Sequence, residues 1–322
     1  MSRVSGSRTT GYLLVGVSAV LWGLNGPASR ITFDSGIEPR ALAGWRVIGA
    51  ALLLCGGLLV ADRASLRPHR AAWRPLALFG LIGVSLGQLF YFEAIKRFDV
   101  ALTLVIVFTA PLWVALFRRV AHGVRQGPVV WLGMLVAIVG VATSVLGRSG
   151  GVGKASVAGL ILAAMTAFAY AAQLILAGGL PLDVRPPARV GLSMLVAAPV
   201  WLVLPDVRSV DLGLLATSVR VGPHLPFHVP IWLLVAYVIV GGTVVPYMLL
   251  VMGVGRIGPT AAGVTGTLEP IVAAVLGYVV LAQQLNIVQV GGIVLVLVAV
   301  VVAERARVTQ TAGDAGEPEV GR

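Results

Sequence analysis

Ten runs of apolar residues, each close to the length of a membrane crossing and each ended by a short polar break, constrain this chain more than any other feature. A helix needs about 20 mainly apolar residues to cross a hydrocarbon layer about 30 Å thick, because it rises about 1.5 Å per residue and must satisfy its own backbone hydrogen bonds. The runs are Gly11 to Arg30, Ala41 to Ala61, Pro75 to Ile95, Val100 to Phe117, Pro128 to Gly147, Ala155 to Gly178, Arg189 to Leu204, Ile231 to Met252, Thr260 to Leu281 and Ile287 to Ala303. The seventh is short and contains Pro199, a local kink that a helix bundle tolerates. The first is too long for a signal-peptide core and runs into Asn25 and Pro27, so it is expected to stay in the mature protein. The predicted fold is all-α: a polytopic membrane protein of ten transmembrane helices with polar tails at residues 1–10 and 304–322.

Composition agrees with that reading. Of 322 residues 58% are hydrophobic and only 11% charged, against about 25% charged in a soluble domain. The net charge of +11 forms no basic stripe; the charges sit in the breaks between spans, so nucleic acid is excluded as a partner. The single cysteine, Cys55, excludes an intrachain disulfide and any metal-type cysteine spacing. With the N-terminus placed in the cytoplasm, the inward segments carry fifteen Lys and Arg and the outward segments eight, Arg46 within the second span completing the 24. Positive loops stay cytoplasmic, so both termini are expected there.

The apolar runs hide a duplication. An offset of 159 residues lays Arg97 on Arg256, Pro111 on Pro270, Ala115 on Ala274 and Gly133 on Gly292, without a gap through two whole spans. An offset of 143 lays Arg46 and Val47 on Arg189 and Val190, the difference being absorbed by the longer loop from Asp206 to Pro230. Each copy, residues 11–147 and 155–303, holds five spans. An odd number turns the second copy upside down relative to the first, and such inverted repeats build transporters with a site at the midplane.

At these residues the chain resembles the drug/metabolite transporter superfamily and its EamA-like branch of ten-helix carriers. Leu21-Trp22-Gly23-Leu24-Asn25 followed by Arg30 is similar to the first-helix pattern of that branch, and Arg46 followed by Gly49, Ala50 and Ala51 to its second helix. Leu268-Glu269-Pro270 is similar to the Leu-Glu-Pro of its ninth helix, with Pro111 the partner in the first copy. Where the family has Gly-Glu at the end of that helix, this chain has Ala282-Gln283, with Gly123-Val124 at the equivalent place, so any role of that acid is absent. The resemblance implies an exporter of small organic metabolites or drugs.

A charge at the centre of a membrane helix costs about 2.5–3.5 kcal/mol on insertion scales and therefore usually faces a polar interior. Arg46, about five residues into its span, can either snorkel to the outer interface or face a cavity and grip a carboxylate. Glu269 cannot snorkel; it is either a static interhelical partner or an acid that takes up and releases a coupling proton. Glu93 stands at ion-pair spacing from Lys96 and Arg97, with Gln88 and Tyr91 nearby. Trp22, Asn25, Arg46, Gln88, Tyr91, Tyr170, Gln173 and Tyr247 are the candidate solute-binding residues, Glu269 the candidate proton carrier, and Pro111, Pro246 and Pro270 the expected helix breaks. The cavity is expected between the two copies, lined by the first, second, third, fourth, sixth, eighth and ninth spans. Trp113 is as compatible with packing, and Gly80, Gly83 and Gly87 share a face suited to close helix contact.

Two motifs fail on inspection. Residues 147 to 156 resemble a phosphate loop, but Arg148 replaces the first glycine and Ala155 the Ser or Thr after Lys154. His224 and His228 have metal-type helical spacing, yet Pro223, Pro226 and Pro230 forbid the helix. With no catalytic constellation, the expectation is a secondary carrier and not an enzyme, without cofactor or metal. Its partners are a small solute, the lipid bilayer, and a proton or another coupling ion; homodimerisation is left open. The alternative is a membrane-embedded sensor or assembly subunit.

Overall fold

The computed structural model describes residues 5–123, 127–146, 154–208, 211–222, 225–282 and 285–314. Its long elements are α1 (Ser5–Asp34), α2 (Pro39–Ala61), α3 (Trp73–Leu78) continuing through a π-helical stretch (Phe79–Leu86) into α4 (Gly87–Arg97), then α5 (Val100–Val107), α6 (Ala110–His122) and α7 (Pro128–Leu146). The second half follows with α8 (Lys154–Gly178), α9 (Pro186–Val203), the short α10 (Pro205–Arg208) and α11 (Gly213–Ala216), a hairpin of β1 (Ser218–Gly222) and β2 (Leu225–Pro230), and α12 (Ile231–Ile239). A second π-helical stretch (Val240–Val244) leads into α13 (Val245–Gly266), then α14 (Leu268–Leu281) and α15 (Ile287–Asp314). Among the described residues, seven helical spans are long and apolar enough to cross a membrane, and three shorter apolar helices, Pro128–Ser144, Leu268–Leu281 and Ile287–Ala303, bring the set to ten. The chain is an all-α polytopic membrane protein.

Helices of one half pack on helices of the other, as a two-fold relation between the halves demands. α1 lies on α13 and α4 on α8, while α2 meets α9, α5 meets α14 and α7 meets α15. Small residues allow the closest of these approaches. A β-carbon built on Gly292 would stand 2.6 Å from the Gly140 carbonyl oxygen, and one on Gly133 would stand 2.7 Å from the Ala303 Cβ, so only glycine fits at either place. The main core runs through α2, α3, α4, α9 and α12, with Phe79, Phe92, Leu42 and Trp201 buried in it. A second core joins α7 and α15 to α5 and α8.

Irregular backbone recurs at matching places. The two π-helical stretches overlap at the 159-residue offset, and so do the break at Phe108 and Thr109 before α6 and the break at Thr267 before α14. Each expected proline follows such an interruption: Pro111 and Pro246 are the second residues of α6 and α13, and Pro270 the third of α14. Pro111 and Pro270 are tolerated because a first-turn N–H has no intrahelical acceptor, whereas Pro246 follows continuous helix and its missing N–H leaves a carbonyl of the preceding turn without its donor. Among the described residues the hairpin is the one departure from the all-helical expectation. β1 and β2 pair antiparallel within the loop from Asp206 to Pro230, with Arg220 opposite His228; Pro230 ends the strand and opens α12. His228 is thus a strand residue, and His224 lies outside the described residues, as do residues 147–153 of the phosphate-loop resemblance, Val124 and Gln283.

Candidate functional site

Polar side chains within apolar helices are stable only where they find partners or water, and in this fold they gather around one cavity between the halves. It encloses about 80 Å³ and is lined by Trp22 and Asn25 of α1, Arg46 of α2, Gly87, Gln88 and Tyr91 of α4, Leu104, Val107 and Phe108 at the end of α5, Thr166, Tyr170 and Gln173 of α8, Tyr247 of α13 and Glu269 of α14. All nine residues singled out for binding or proton transfer line it. Sequence reasoning missed Leu104, Val107, Phe108, Thr166 and Gly87. Thr166 was legible, since 166, 170 and 173 share one helical face; the apolar members carried no such signal.

The walls are two-fold in detail. Trp22 and Tyr170, and Asn25 and Gln173, are equivalent at an offset of 148 residues. Asn25 packs on Gly242 and Gln173 on Gly83, and these glycines are themselves equivalent. Near the axis the Gln88 amide donates to the Tyr247 hydroxyl at 3.2 Å, and that hydroxyl donates to Gln173 Oε1 at 3.5 Å. The Trp22 and Tyr247 rings meet edge to face with centroids 5.2 Å apart, and Phe108 tilts over Tyr170 at 5.9 Å. Two buried polar atoms in the wall, Asn25 Oδ1 and the Tyr91 hydroxyl, have no hydrogen-bond partner among the described residues.

Arg46 does not reach an interface. It is 1% exposed, donates from Nε to Thr243 Oγ1 at 2.7 Å and from Nη2 to the Gly242 carbonyl at 2.6 Å, and its guanidinium carbon lies 5.1 Å from the centre of the Phe92 ring. The Gly242 carbonyl also accepts from Trp22 Nε1 at 3.0 Å. Thr243 in turn donates to the Val238 carbonyl at 2.8 Å. Trp113 sits elsewhere, donating to Thr109 Oγ1 at 3.0 Å beside an apolar cavity of about 170 Å³ between α5, α6, α7 and α8.

Charged residues pair at both ends of the bundle. At one end Glu93 receives Arg97 and Arg40, Arg40 reaches Asp206 at 3.8 Å, and Lys96 pairs with Glu38 at 2.7 Å and not with Glu93. At the other end Arg185 meets Asp62 at 2.8 Å and His69 lies 3.3 Å from Asp183, beside a polar groove of about 350 Å³. Arg40 with Asp206 and Arg185 with Asp62 are counterparts: each joins the start of one of the pair α2 and α9 to the chain just beyond the end of the other.

Ten apolar helices in two related halves, with a small polar cavity at their interface, define a membrane transporter. Comparison with known proteins gives the family: the model for the EamA-like transporter family matches residues 9–146 and again 157–304, and the chain belongs to that family. It is 25% identical over 301 residues to a protein of Salmonella typhimurium named "Uncharacterized inner membrane transporter YicL", covering 92% of this chain and 95% of that one. A solved structure titled "Crystal structure of protein" shares the fold at a TM-score of 0.60 and 18% identity, over 96% of this chain and all of the other.

Proposed function

We propose that the protein exports small organic solutes across a cytoplasmic (inner) membrane by alternating access, exchanging them for protons at Glu269. The observation that carries this reading is the central cavity, where one carboxylate, one guanidinium and a ring of amides and phenols meet at the boundary of two inverted halves. Ion pairs at the two ends of the bundle join the starts of α2 and α9 to the chain beyond the other helix, where a carrier would make and break contacts as it opens. At about 80 Å³ the cavity is smaller than the 300–1,000 Å³ typical of ligand pockets, so a solute enters only when one end opens. Export is suggested by the family resemblance. The fifteen-to-eight charge bias supports cytoplasmic termini; labelling of a cysteine at Val221 in intact cells tests this, and labelling only after permeabilisation reverses it.

The decisive experiment is solute flux in vesicles under an imposed pH gradient, screened over amino acids, nucleosides and cationic drugs. Glu269→Gln keeps the size of the side chain and removes its titration. It is expected to abolish pH-driven flux while the protein still folds; unchanged rate and pH dependence in this variant would make Glu269 structural.

A further inference from the structure

The geometry points to Arg46 as a positioning residue that caps a carbonyl orphaned by Pro246, not as a group that grips the solute. The π-helical turn brings the Val245 N–H to the Val240 carbonyl, and where the helix returns to the α register the Gly242 carbonyl would take the N–H of residue 246. Residue 246 is proline, which has no N–H and whose ring pushes that carbonyl aside. The helix widens into its π-helical turn at this place, and the freed Gly242 oxygen tilts out toward α1 and α2. Two side chains meet it there: Arg46 Nη2 at 2.6 Å and Trp22 Nε1 at 3.0 Å fill both lone pairs. Arg46 Nε, bound to Thr243 Oγ1, fixes the next residue of the same turn. A buried carbonyl without a donor is strongly destabilising in a membrane interior, so these contacts let the helix running from α12 into α13 keep its proline beside the cavity.

The other half of the molecule supplies a natural control. At the place of Pro246 it has Gly87, with its N–H intact, and at the place of Arg46 it has Arg189. Arg189 is buried too, yet its Nε has no hydrogen-bond partner among the described residues. The first half widens into a π-helical stretch without a proline, so Pro246 accounts for the missing donor and not for the widening itself. The consequence for transport rests on the reading above, whereas the contact itself does not.

The test is a mutant cycle with Arg46→Gln, Pro246→Ala and the double variant, in lipid nanodiscs and without any solute. Amide exchange of residues 243–251 reports the capped turn. A cysteine at Val107 on the cavity wall, with Cys55→Ala, reports cavity access through its labelling by N-ethylmaleimide. Arg46→Gln is expected to speed exchange in that segment about ten-fold or more, the effect of losing a charge-assisted hydrogen bond, and to change labelling of the Val107→Cys variant. Pro246→Ala returns the N–H, so the double variant recovers both to within about two-fold of the parent. Arg46→Lys, retaining one donor, falls between. If Arg46→Gln fails to accumulate, recovery of accumulation in the double variant is the supporting result. Unaltered exchange in Arg46→Gln, or a defect that Pro246→Ala leaves in place, overturns the proposal. Because no solute is involved, either outcome is independent of the flux experiment.

Discussion

Gln88 and Tyr247 stand 159 residues apart, hold the same place in the two halves of the chain, and touch: the Gln88 amide donates to the Tyr247 hydroxyl across 3.2 Å. A residue can meet its own counterpart only close to the two-fold axis, so this hydrogen bond marks the line about which the halves are related. It also shows that the halves have diverged, one presenting an amide and the other a phenol to the same spot.

The bond is expected to couple the two halves weakly. Tyr247→Phe removes the hydroxyl shared with Gln88 and Gln173, and Gln88→Leu removes the other partner. Thermal unfolding in detergent of the two single variants and the double should give a coupling of about 0.5–1.5 kcal/mol, the range for interhelical hydrogen bonds in membranes. Strict additivity would place the two side chains apart.

Gly80 and Gly56 should respond oppositely to alanine. A β-carbon at Gly80 lands on the Ser193 carbonyl oxygen, a backbone atom that cannot move without shifting α9. Gly80→Ala should lose about 2–3 kcal/mol, visible as a lower melting temperature and reduced accumulation in the membrane. Gly56 has open space at that position, so Gly56→Ala should gain about 0.5–1 kcal/mol from helix propensity.

Ala282 ends α14 at φ 54°, the left-handed region, where its counterpart Gly123 has φ 66°. An alanine pays for this conformation and a glycine does not. Ala282→Gly should raise thermal stability by about 1 kcal/mol, whereas Gly123→Ala should lower it by a similar amount.

Beyond the end of α2, the Ser65 hydroxyl and after it the Arg185 guanidinium hold the Asp62 carboxyl below the ordinary carboxylate range. A depressed value in the folded state means that the contribution to stability is full above the unfolded value near about 3.9 and is lost as pH falls through the folded one. Asp62→Asn should therefore lower the melting temperature equally at pH 5, 6, 7 and 8, with the deficit shrinking only as the pH falls below the unfolded carboxylate value of about 3.9. A deficit that shrinks between pH 8 and 5 would contradict this assignment.

Much of this architecture could be read directly from the residues. Spans announce themselves because lipid admits no unsatisfied backbone, and the duplication shows through Pro111 with Pro270 and Arg97 with Arg256, residue types too rare within spans to match by accident. The cavity wall was legible for the same reason: Asn25, Gln173 and Glu269 have no business in lipid, so each had to face inward. What stayed hidden depended on partners distant in sequence. Nothing near Arg46 reveals that its acceptor is a backbone carbonyl 196 residues away. The hairpin escaped because its strands are short and the second carries Pro226 and Pro230, which read as loop. The offset of 148 that relates α1 to α8 was masked because Trp22 and Tyr170, or Asn25 and Gln173, match in chemistry but not in identity.

The interlocked pair α7 and α15 contributes no residue to the cavity and meets backbone to backbone at Gly140 and Gly292. With Val296 and Ala303 packed against Gly140 and Gly133, and backbone against backbone at Gly140 and Gly292, this pair has little room to shift and is expected to move as one unit. A pair that moves as one unit would serve as a frame of reference for the rest of the molecule. Spectroscopic probes joining α7 or α15 to another helix would read displacement against that frame during a transport cycle, whereas probes placed only among the remaining helices would read one moving part against another.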